Sequence, residues 1–429
     1  MKTVKNIFLG KKILIYGLGK SGISTFKFLK KKIADVYLFD DNQKINKKLI
    51  SLNQLINTKF DIIIISPGID ISNCKLSKFL KINFSKIYTD LDVFYSFYKN
   101  TSIAITGTNG KSTTAKILYD VLVDQKIDTR LIGNIGIPAL SEKKISKKTL
   151  FVIEVSSYQL EYSKLFSTKY AVILNISADH IERHKNLTNY INAKFKLLAS
   201  QNSKSFAYVK RNDELINNKI RKSKLKPKIY KVDTSNIKKI SNRLNNKYFT
   251  SDGNKENLSF VLKIASKLRL NSIKLFKTLN NFKGLKYRQQ IIFDNKNLTI
   301  INDSKSTSFA SSENILKKFN DIYWILGGIP KKGDKFKLSK KKCKNFKAFS
   351  FGKYHKQFSK ILRNKIKVKK FKNLKEILKK VFFEIKKHKY KKNIIFFSPA
   401  GASFDNFKNF EDRGNYFNQL IKKFTNAQR

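Results

Sequence analysis

Residues 102–114 read SIAITGTNGKSTT and constrain the chain more than any other stretch. Ser102–Thr106 is a short apolar run with the residue types of a buried strand. Gly107 and Gly110 break it, and a Ser/Thr-rich helix start follows at Lys111. A strand that turns on glycine and reopens as a helix predicts a parallel α/β sheet. The same residues predict chemistry. Glycines let backbone N–H groups face an anion, and a helix N-terminus favours negative charge. Gly107, Thr108, Asn109 and Gly110 would form this phosphate-binding turn. Lys111 would reach terminal phosphates, and the Ser112 or Thr113 hydroxyl would bind Mg²⁺.

The rhythm recurs elsewhere. Lys12–Tyr16 (KILIY) is a strand candidate, followed by Gly17-Leu-Gly-Lys-Ser-Gly22 and a helix to about Lys31. Asp35–Phe39 and Asp61–Ser66 are further strands. The glycine pattern with Asp40 at the next strand end points to a nucleotide or nucleotide-sugar. An NAD-dependent dehydrogenase is one reading of it, but leaves the phosphate turn unexplained. Leu150–Glu154 and Tyr170–Asn175 continue the central region. Residues 202–255, rich in Lys and Asn, read as irregular, and Asn257–Leu270 as helical. A third region begins near Gly284, with strands at Leu298–Asn302, Ile322–Leu326, Ala348–Phe351 and Ile394–Ser398, and an amphipathic helix within Phe371–Lys392.

Polar residues gather where these strands end, which is where open α/β sheets bind ligands. Glu154 is placed to hold a metal beside the phosphate turn. His180, next to Asp179, is a candidate metal or substrate ligand, whereas His184 is expected on a solvated helix. In the third region Asp303, Lys305 and Thr307, the Gly327–Lys331 loop and the Ser398–Ser403 loop form three comparable strand-end segments.

The charge is extreme, with 90 Lys+Arg against 30 Asp+Glu, or +60. Nucleic-acid binding is one reading. The lysines are spread over the chain, and Asn, Ile and Phe are abundant too, which fits drift toward A/T-rich codons. No specific nucleic acid is expected. A diffuse positive field would still attract acidic substrates. The two cysteines, Cys74 and Cys343, make neither a disulfide framework nor a zinc pattern. The opening MKTVKNIFLGKK lacks a signal-peptide core, and no apolar run nears the ~18 residues of a membrane span. A cytoplasmic monomer without a membrane partner is expected.

In order and over essentially the whole chain, these motifs resemble the Mur ligases, relatives of folylpolyglutamate synthetase. TGTNGKST belongs to the wider superfamily. GLGKSG and SPAGASFDNFKNFEDRG (398–414) are most similar to members that add D-glutamate to UDP-N-acetylmuramoyl-L-alanine in peptidoglycan synthesis. Other Mur-type or folylpolyglutamate-type ligases are the alternatives.

The resemblance implies three α/β domains: a Rossmann-like UDP-binding domain (1–98), a central P-loop-type ATP-binding domain (99–284) and a Rossmann-like amino-acid-binding domain (285–429). It implies ATP and two Mg²⁺ ions as cofactors and an acyl-phosphate intermediate. The UDP-sugar would meet Gly17, Ser21, Asp40, Asp41, Ser66, Gly68 and Asn134. ATP would meet the 107–113 turn, Asn257, Arg288 and Asp303. D-Glutamate would meet Lys305, Thr307, Lys331, Ser403 and Phe410. Ser112, Glu154, His180 and a carbamylated Lys194 would serve the metals, with Lys111, His180 and Lys194 as the catalytic set. Two positions depart from the family pattern, Tyr287 and Gly253, each where a histidine is common.

Overall fold

Strands of two to seven residues, most of them β-branched or aromatic, build three separate mainly parallel sheets. The computed structural model describes residues 6–32, 35–42, 49–235, 243–331, 333–387 and 392–426. The chain divides into two units, Met1–Phe282 and Lys283–Arg429.

The first unit holds two sheets. In the first, β1 (Ile13–Tyr16), β2 (Val36–Phe39), β3 (Ile62–Ile65) and β4 (Ile87–Tyr88) lie in the order β2-β1-β3-β4. β1 and β3 are buried along their whole length, as parallel strands covered on both faces must be. The second sheet contains β5 (Ser102–Thr106), β6 (Thr129–Gly133), β7 (Leu150–Glu154), β8 (Tyr170–Ile173), β9 (Phe206–Lys210) and β10 (Lys228–Val232). Its order is β10-β9-β8-β5-β7-β6, and all its pairs are parallel. The chain leaves β5 toward β6 and later returns to β8 on its other side. The end of β5 is therefore a topological switch point, where a crevice opens.

The two sheets share one buried apolar cluster that includes Ile15, Leu91, Phe94, Phe151 and Ile153. A carboxylate fastens the connection. Asp92 caps its own helix at Thr89, and its Oδ1 accepts from the Ser163 hydroxyl and the N–H groups of Lys164, Leu165 and Phe166.

The 202–255 stretch is more regular than expected: it contains β9, a helix Glu214–Arg221 and β10. The lysines conceal the pattern. In β9 the buried residues are Ala207, Tyr208 and Val209, a continuous run flanked by polar ends. β10 is an edge strand whose Lys228 and Lys231 face outward, a common protection for exposed edges. Residues 236–242 lie outside the described residues. The helix expected from Asn257 begins earlier, at Asp252, because Ser251 caps it by accepting from Asn254 N–H.

The second unit has one six-stranded sheet. β11 (Gln290–Asp294), β12 (Leu298–Asn302), β13 (Asp321–Gly327), β15 (Asn345–Phe351), β16 (Val368–Phe371) and β17 (Asn393–Phe397) run in the order β11-β12-β17-β13-β15-β16. Only the β11–β12 pair is antiparallel. A two-residue pair, β14 (Ile329–Pro330) and β18 (Gly401–Ala402), stands apart from it. Because β12, β17 and β13 are neighbours, the three polar loops that follow them emerge side by side. The lysine-rich helix spans Leu374–Lys387 and buries Leu374, Ile377, Leu378, Val381 and Phe382. The expected continuation to Lys392 crosses residues 388–391, outside those described.

Candidate active site

The phosphate turn sits at the end of β5, and the helix Lys111–Asp124 begins directly after it. Gly110 has φ +84, and a Cβ there would lie 2.1 Å from Asn257 Oδ1. Glycine is required for both reasons. The same contact places Asn257 against the turn. A second segment pins the loop from outside. Thr108 N–H donates to Asn175 O, Asn109 N–H to Asn175 Oδ1 (2.9 Å), and Thr108 Oγ1 to Ser177 O. Lys111 Nζ donates to the Gly107 and Thr108 carbonyls, both at 2.8 Å, so the amine lies folded over the turn. Ser112 and Thr113 are buried at the helix start.

Three other elements converge here. Glu154, the last residue of β7, is buried; Asn134 Nδ2 donates to its Oε1 at 2.8 Å, and its Oε2 has no hydrogen-bond partner among the described residues. Lys194 comes from the helix Leu187–Ala199 and is 1% exposed. Its Nζ donates to Gly107 O at 2.8 Å and lies 4.5 Å from the centre of the Tyr190 ring. Burial first, and Lys111 second, hold this amine well below the usual lysine range, against the pull of Asp179 and Glu154. His180 has a left-handed backbone, φ +53; its Nδ1 shares a hydrogen bond of 2.9 Å with the Tyr158 hydroxyl, and its Nε2 lies 3.4 Å from Asp179 Oδ2.

His184 is not on a solvated face. It is 3% exposed, Nε2 shares a 3.0 Å hydrogen bond with Ser157 Oγ, and it packs against Tyr158 and Tyr190. Burial drives its pKa down to about 4, so it is neutral packing beneath His180. The helix Ile181–His184 is a single turn, too short for a periodicity that would reveal its inner face.

At β1, Gly22 is needed because a Cβ would stand 1.9 Å from Gly17 O. Ser66 Oγ donates to the same carbonyl at 2.5 Å. Asp40 Oδ2 accepts from Leu18 N–H at 2.6 Å, and Asp41 Oδ1 accepts from the Tyr16 hydroxyl. Ser21 is hydrogen-bonded to Asp90, a buried carboxyl whose pKa burial pushes up to about 6. Gly68 has open space where a side chain would be. The sequence did not single out Asp90, Tyr158, Tyr190 or Arg183. Arg183 joins this region to the His180 turn: its Nε donates to Glu161 at 2.9 Å and its Nη2 to Ile69 O.

In the second unit Asp303 is buried, accepts from Gln289 N–H at 3.1 Å and from Ser398 Oγ at 3.0 Å, and feels Arg288 and Arg413. Lys305 Nζ stands 3.9 Å from the centre of the Phe410 ring. Ser403 is buried and its carbonyl accepts from Asn406 and Phe407 N–H. Thr307 is exposed on the Lys305 loop, and Lys331 is half-buried on the neighbouring one. Tyr287 donates from its hydroxyl to Asn415 Oδ1 at 2.7 Å, and its ring fills the space over Gly414.

A divalent cation fits part of this set. Glu154 Oε2 is a buried oxygen without a hydrogen-bond partner among the described residues, on a strand paired with β5, where Glu154 stands opposite Ile105 just before the turn. No group of three His, Cys, Asp or Glu side chains forms a cage among the described residues. A cation here would need phosphate oxygens or water to complete its shell.

Strand, glycine turn and helix at a switch point define an anion-binding α/β protein. Residues 105–279 match the Mur ligase middle domain, and residues 11–87 the MurD-like N-terminal domain of Mur ligases. The chain is 32% identical to a UDP-N-acetylmuramoylalanine–D-glutamate ligase of Rickettsia felis, over 96% of this chain and 97% of that one. It is 34% identical to the protein of that name from Buchnera aphidicola, over 97% and 99%. The fold is similar to the Thermotoga maritima UDP-N-acetylmuramate–alanine ligase MurC, with TM-score 0.56 and 18% identity over 97% and 100%. It is also similar to a Thermotoga maritima MurF ligase in complex with ADP, with TM-score 0.56 and 13% identity over 87% and 91%. The chain belongs to the Mur ligase family.

Proposed function

We propose that this chain is an ATP-dependent ligase that joins D-glutamate to UDP-N-acetylmuramoyl-L-alanine, a step in peptidoglycan synthesis. The observation that carries this is the gathering of Lys111, Glu154 and Lys194 at the phosphate turn of a chain similar from end to end to D-glutamate ligases. We assign residues 1–98 to the UDP-sugar, 99–284 to ATP and 285–429 to the amino acid. Gly17, Ser21, Asp40, Asp41, Ser66, Gly68 and Asn134 take the UDP-sugar. The 107–113 turn, Asn257, Arg288 and Asp303 take ATP. Lys305, Thr307, Lys331, Ser403 and Phe410 take D-glutamate.

A carboxylate resists amide formation because oxide is a poor leaving group. Transfer of the ATP γ-phosphoryl to it gives an acyl phosphate and ADP, and attack by the amine of D-glutamate then expels phosphate. Lys111 swings from the loop carbonyls to the transferring phosphoryl and stabilises its charge. Asn175 holds the N–H groups of Thr108 and Asn109, and the N–H groups where the turn enters the helix Lys111–Asp124 take the other phosphates. Ser112, Glu154 and His180 are the proposed metal ligands, and magnesium, when bound, supplies further neutralisation of phosphate charge.

Lys194 completes the set as a carbamate. Its neutral amine attacks CO₂, a nitrogen–carbon bond forms, one N–H proton leaves to solvent, and an anion replaces a potential cation. No helix among the described residues is long and apolar enough to cross a membrane. We place the enzyme in the cytoplasm, as a monomer.

The test is phosphate release from ATP. Turnover should require UDP-N-acetylmuramoyl-L-alanine and D-glutamate together. Equal turnover with L-lysine or L-alanine in place of D-glutamate would refute the substrate assignment.

A further inference from the structure

The amino-acid contacts of the second unit ride on loops. Asp303–Ser308 follows β12, Gly327–Lys331 follows β13 and Ser398–Ser403 follows β17. Loops hold a geometry only when something ties them. One side chain, outside every residue assigned above, reaches two of them and the turn that carries Phe410.

Arg413 lies in the first turns of the helix Phe410–Asn426 and is fully buried. Its Nε donates to Ser304 Oγ at 3.1 Å, its Nη2 to Ser304 O at 2.7 Å and its Nη1 to Gly327 O at 3.3 Å. Ser304 Oγ passes the link on, donating to Phe410 O at 2.9 Å. The neighbouring glycine is shaped around the guanidinium: a Cβ on Gly328 would stand 2.7 Å from Nη1 and 2.3 Å from Ala402 O. The third loop joins through the β14–β18 pair, which sets Ile329 opposite Ala402 and Pro330 opposite Gly401.

A buried cation is a costly way to fill space, and apolar side chains of similar volume are often as stable or more so. What the guanidinium adds is direction. Its planar fork fixes two acceptors at a set separation, which a lysine ammonium does not do. Of the groups it fixes, Ser304 directly precedes Lys305 and Gly327 opens the loop that ends at Lys331, the two cations suited to the two carboxylates of a dicarboxylic amino acid.

We propose that Arg413 is a positioning residue for amino-acid selection. It sets the spacing of the Lys305 loop, the Lys331 loop and Phe410. That spacing favours a five-carbon dicarboxylic amino acid over a four-carbon one. The inference rests on the D-glutamate reading above.

Full-length Arg413→Lys and Ser304→Ala are compared with wild type in steady state, with D-glutamate, D-aspartate and UDP-N-acetylmuramoyl-L-alanine varied in turn. KM for D-glutamate should rise by about ten-fold or more in Arg413→Lys, and the kcat/KM preference for D-glutamate over D-aspartate should fall by about ten-fold. KM for the UDP-sugar, whose assigned contacts lie in the other unit, should move by less than about two-fold. Ser304→Ala removes one acceptor without stranding a charge, and should shift the same two quantities less. It decides the matter alone if Arg413→Lys does not accumulate as folded protein. Merely structural damage lowers kcat or shifts all KM values together, and that result, or an unchanged selectivity, overturns the proposal. A wild-type chain inert with D-glutamate would sink the functional reading and this inference with it. Normal wild-type turnover with unaltered variants would sink this inference alone.

Discussion

At the residue scale the environment of Lys194 supports the carbamate proposed for it. A solvated lysine is a cation and cannot attack CO₂. Burial and the nearby Lys111 disfavour the charged form of this one, while Gly107 O orients its nitrogen. The product anion would face the cation of Lys111, so modification turns repulsion into attraction. Lys194→Ala should lose most activity, and short-chain carboxylates should restore part of it by replacing the anion. Absence of any rescue, together with an unmodified amine by carbon-13 NMR in labelled bicarbonate, would refute the assignment. Asp303 is a second residue governed by burial, which lifts its carboxyl to about 7 against Gln289 N–H, the Ser398 hydroxyl, Arg288 and Arg413. An unfolded aspartate ionises near ~4. Between those values the folded protein keeps a proton that the unfolded chain has lost. Stability from this site is therefore greatest below the window, falls as pH rises through it, and stays reduced above. Asp303→Asn cannot ionise, so its stability relative to wild type should climb between about pH 4 and pH 8. Denaturant titrations across that range check the sign, and a constant difference would rule it out.

At the element scale the phosphate turn shows how strand, helix and neighbour act together. Gly110 is forced by its own backbone and by Asn257 of a distant helix. Gly110→Ala should lower ATP affinity sharply while leaving helix and sheet content intact. The left-handed backbone alone costs a β-carbon-bearing residue about 1–2 kcal/mol, and the clash with Asn257 adds to it. Near-normal ATP affinity, measured by calorimetry on a variant with unchanged circular dichroism, would show that the turn does not hold the phosphates. Elements of this kind were legible because local chemistry and tertiary position agree. β5, β7 and β12 lie where their apolar runs end in glycine or polar residues. β10 was not, since lysine at an edge strand looks like loop composition, and β9 was hidden with it as a short apolar run inside a lysine- and asparagine-rich stretch. Arg413 was equally hidden: an arginine amid FEDRG reads as surface, and only the folded loops reveal that its partners are carbonyls and a serine hydroxyl. His184 failed for the opposite reason, because the aromatic residues that bury it come from two other helices.

At the scale of the whole molecule the net charge of +60 is the feature with the least local explanation. Most of its lysines have no role in the site, yet their sum acts on every substrate, since ATP, the UDP-sugar and D-glutamate are all anions at neutral pH. A positive field of this kind raises encounter rates without improving bound contacts. Its reach is the Debye length, about 10 Å at 0.1 M salt and about 3 Å at 1 M. Added salt should therefore reduce kcat/KM for the UDP-sugar several-fold while kcat changes little, because the field acts on encounter and the chemical step follows binding. The effect should follow ionic strength and not the identity of the salt, so potassium chloride and potassium acetate at equal strength should coincide. Steady-state kinetics over a salt series makes the distinction. A kcat/KM that is flat with ionic strength would mean that the lysines are compositional drift with no kinetic consequence. A parallel fall in kcat would instead place the salt-sensitive charges inside the reacting site.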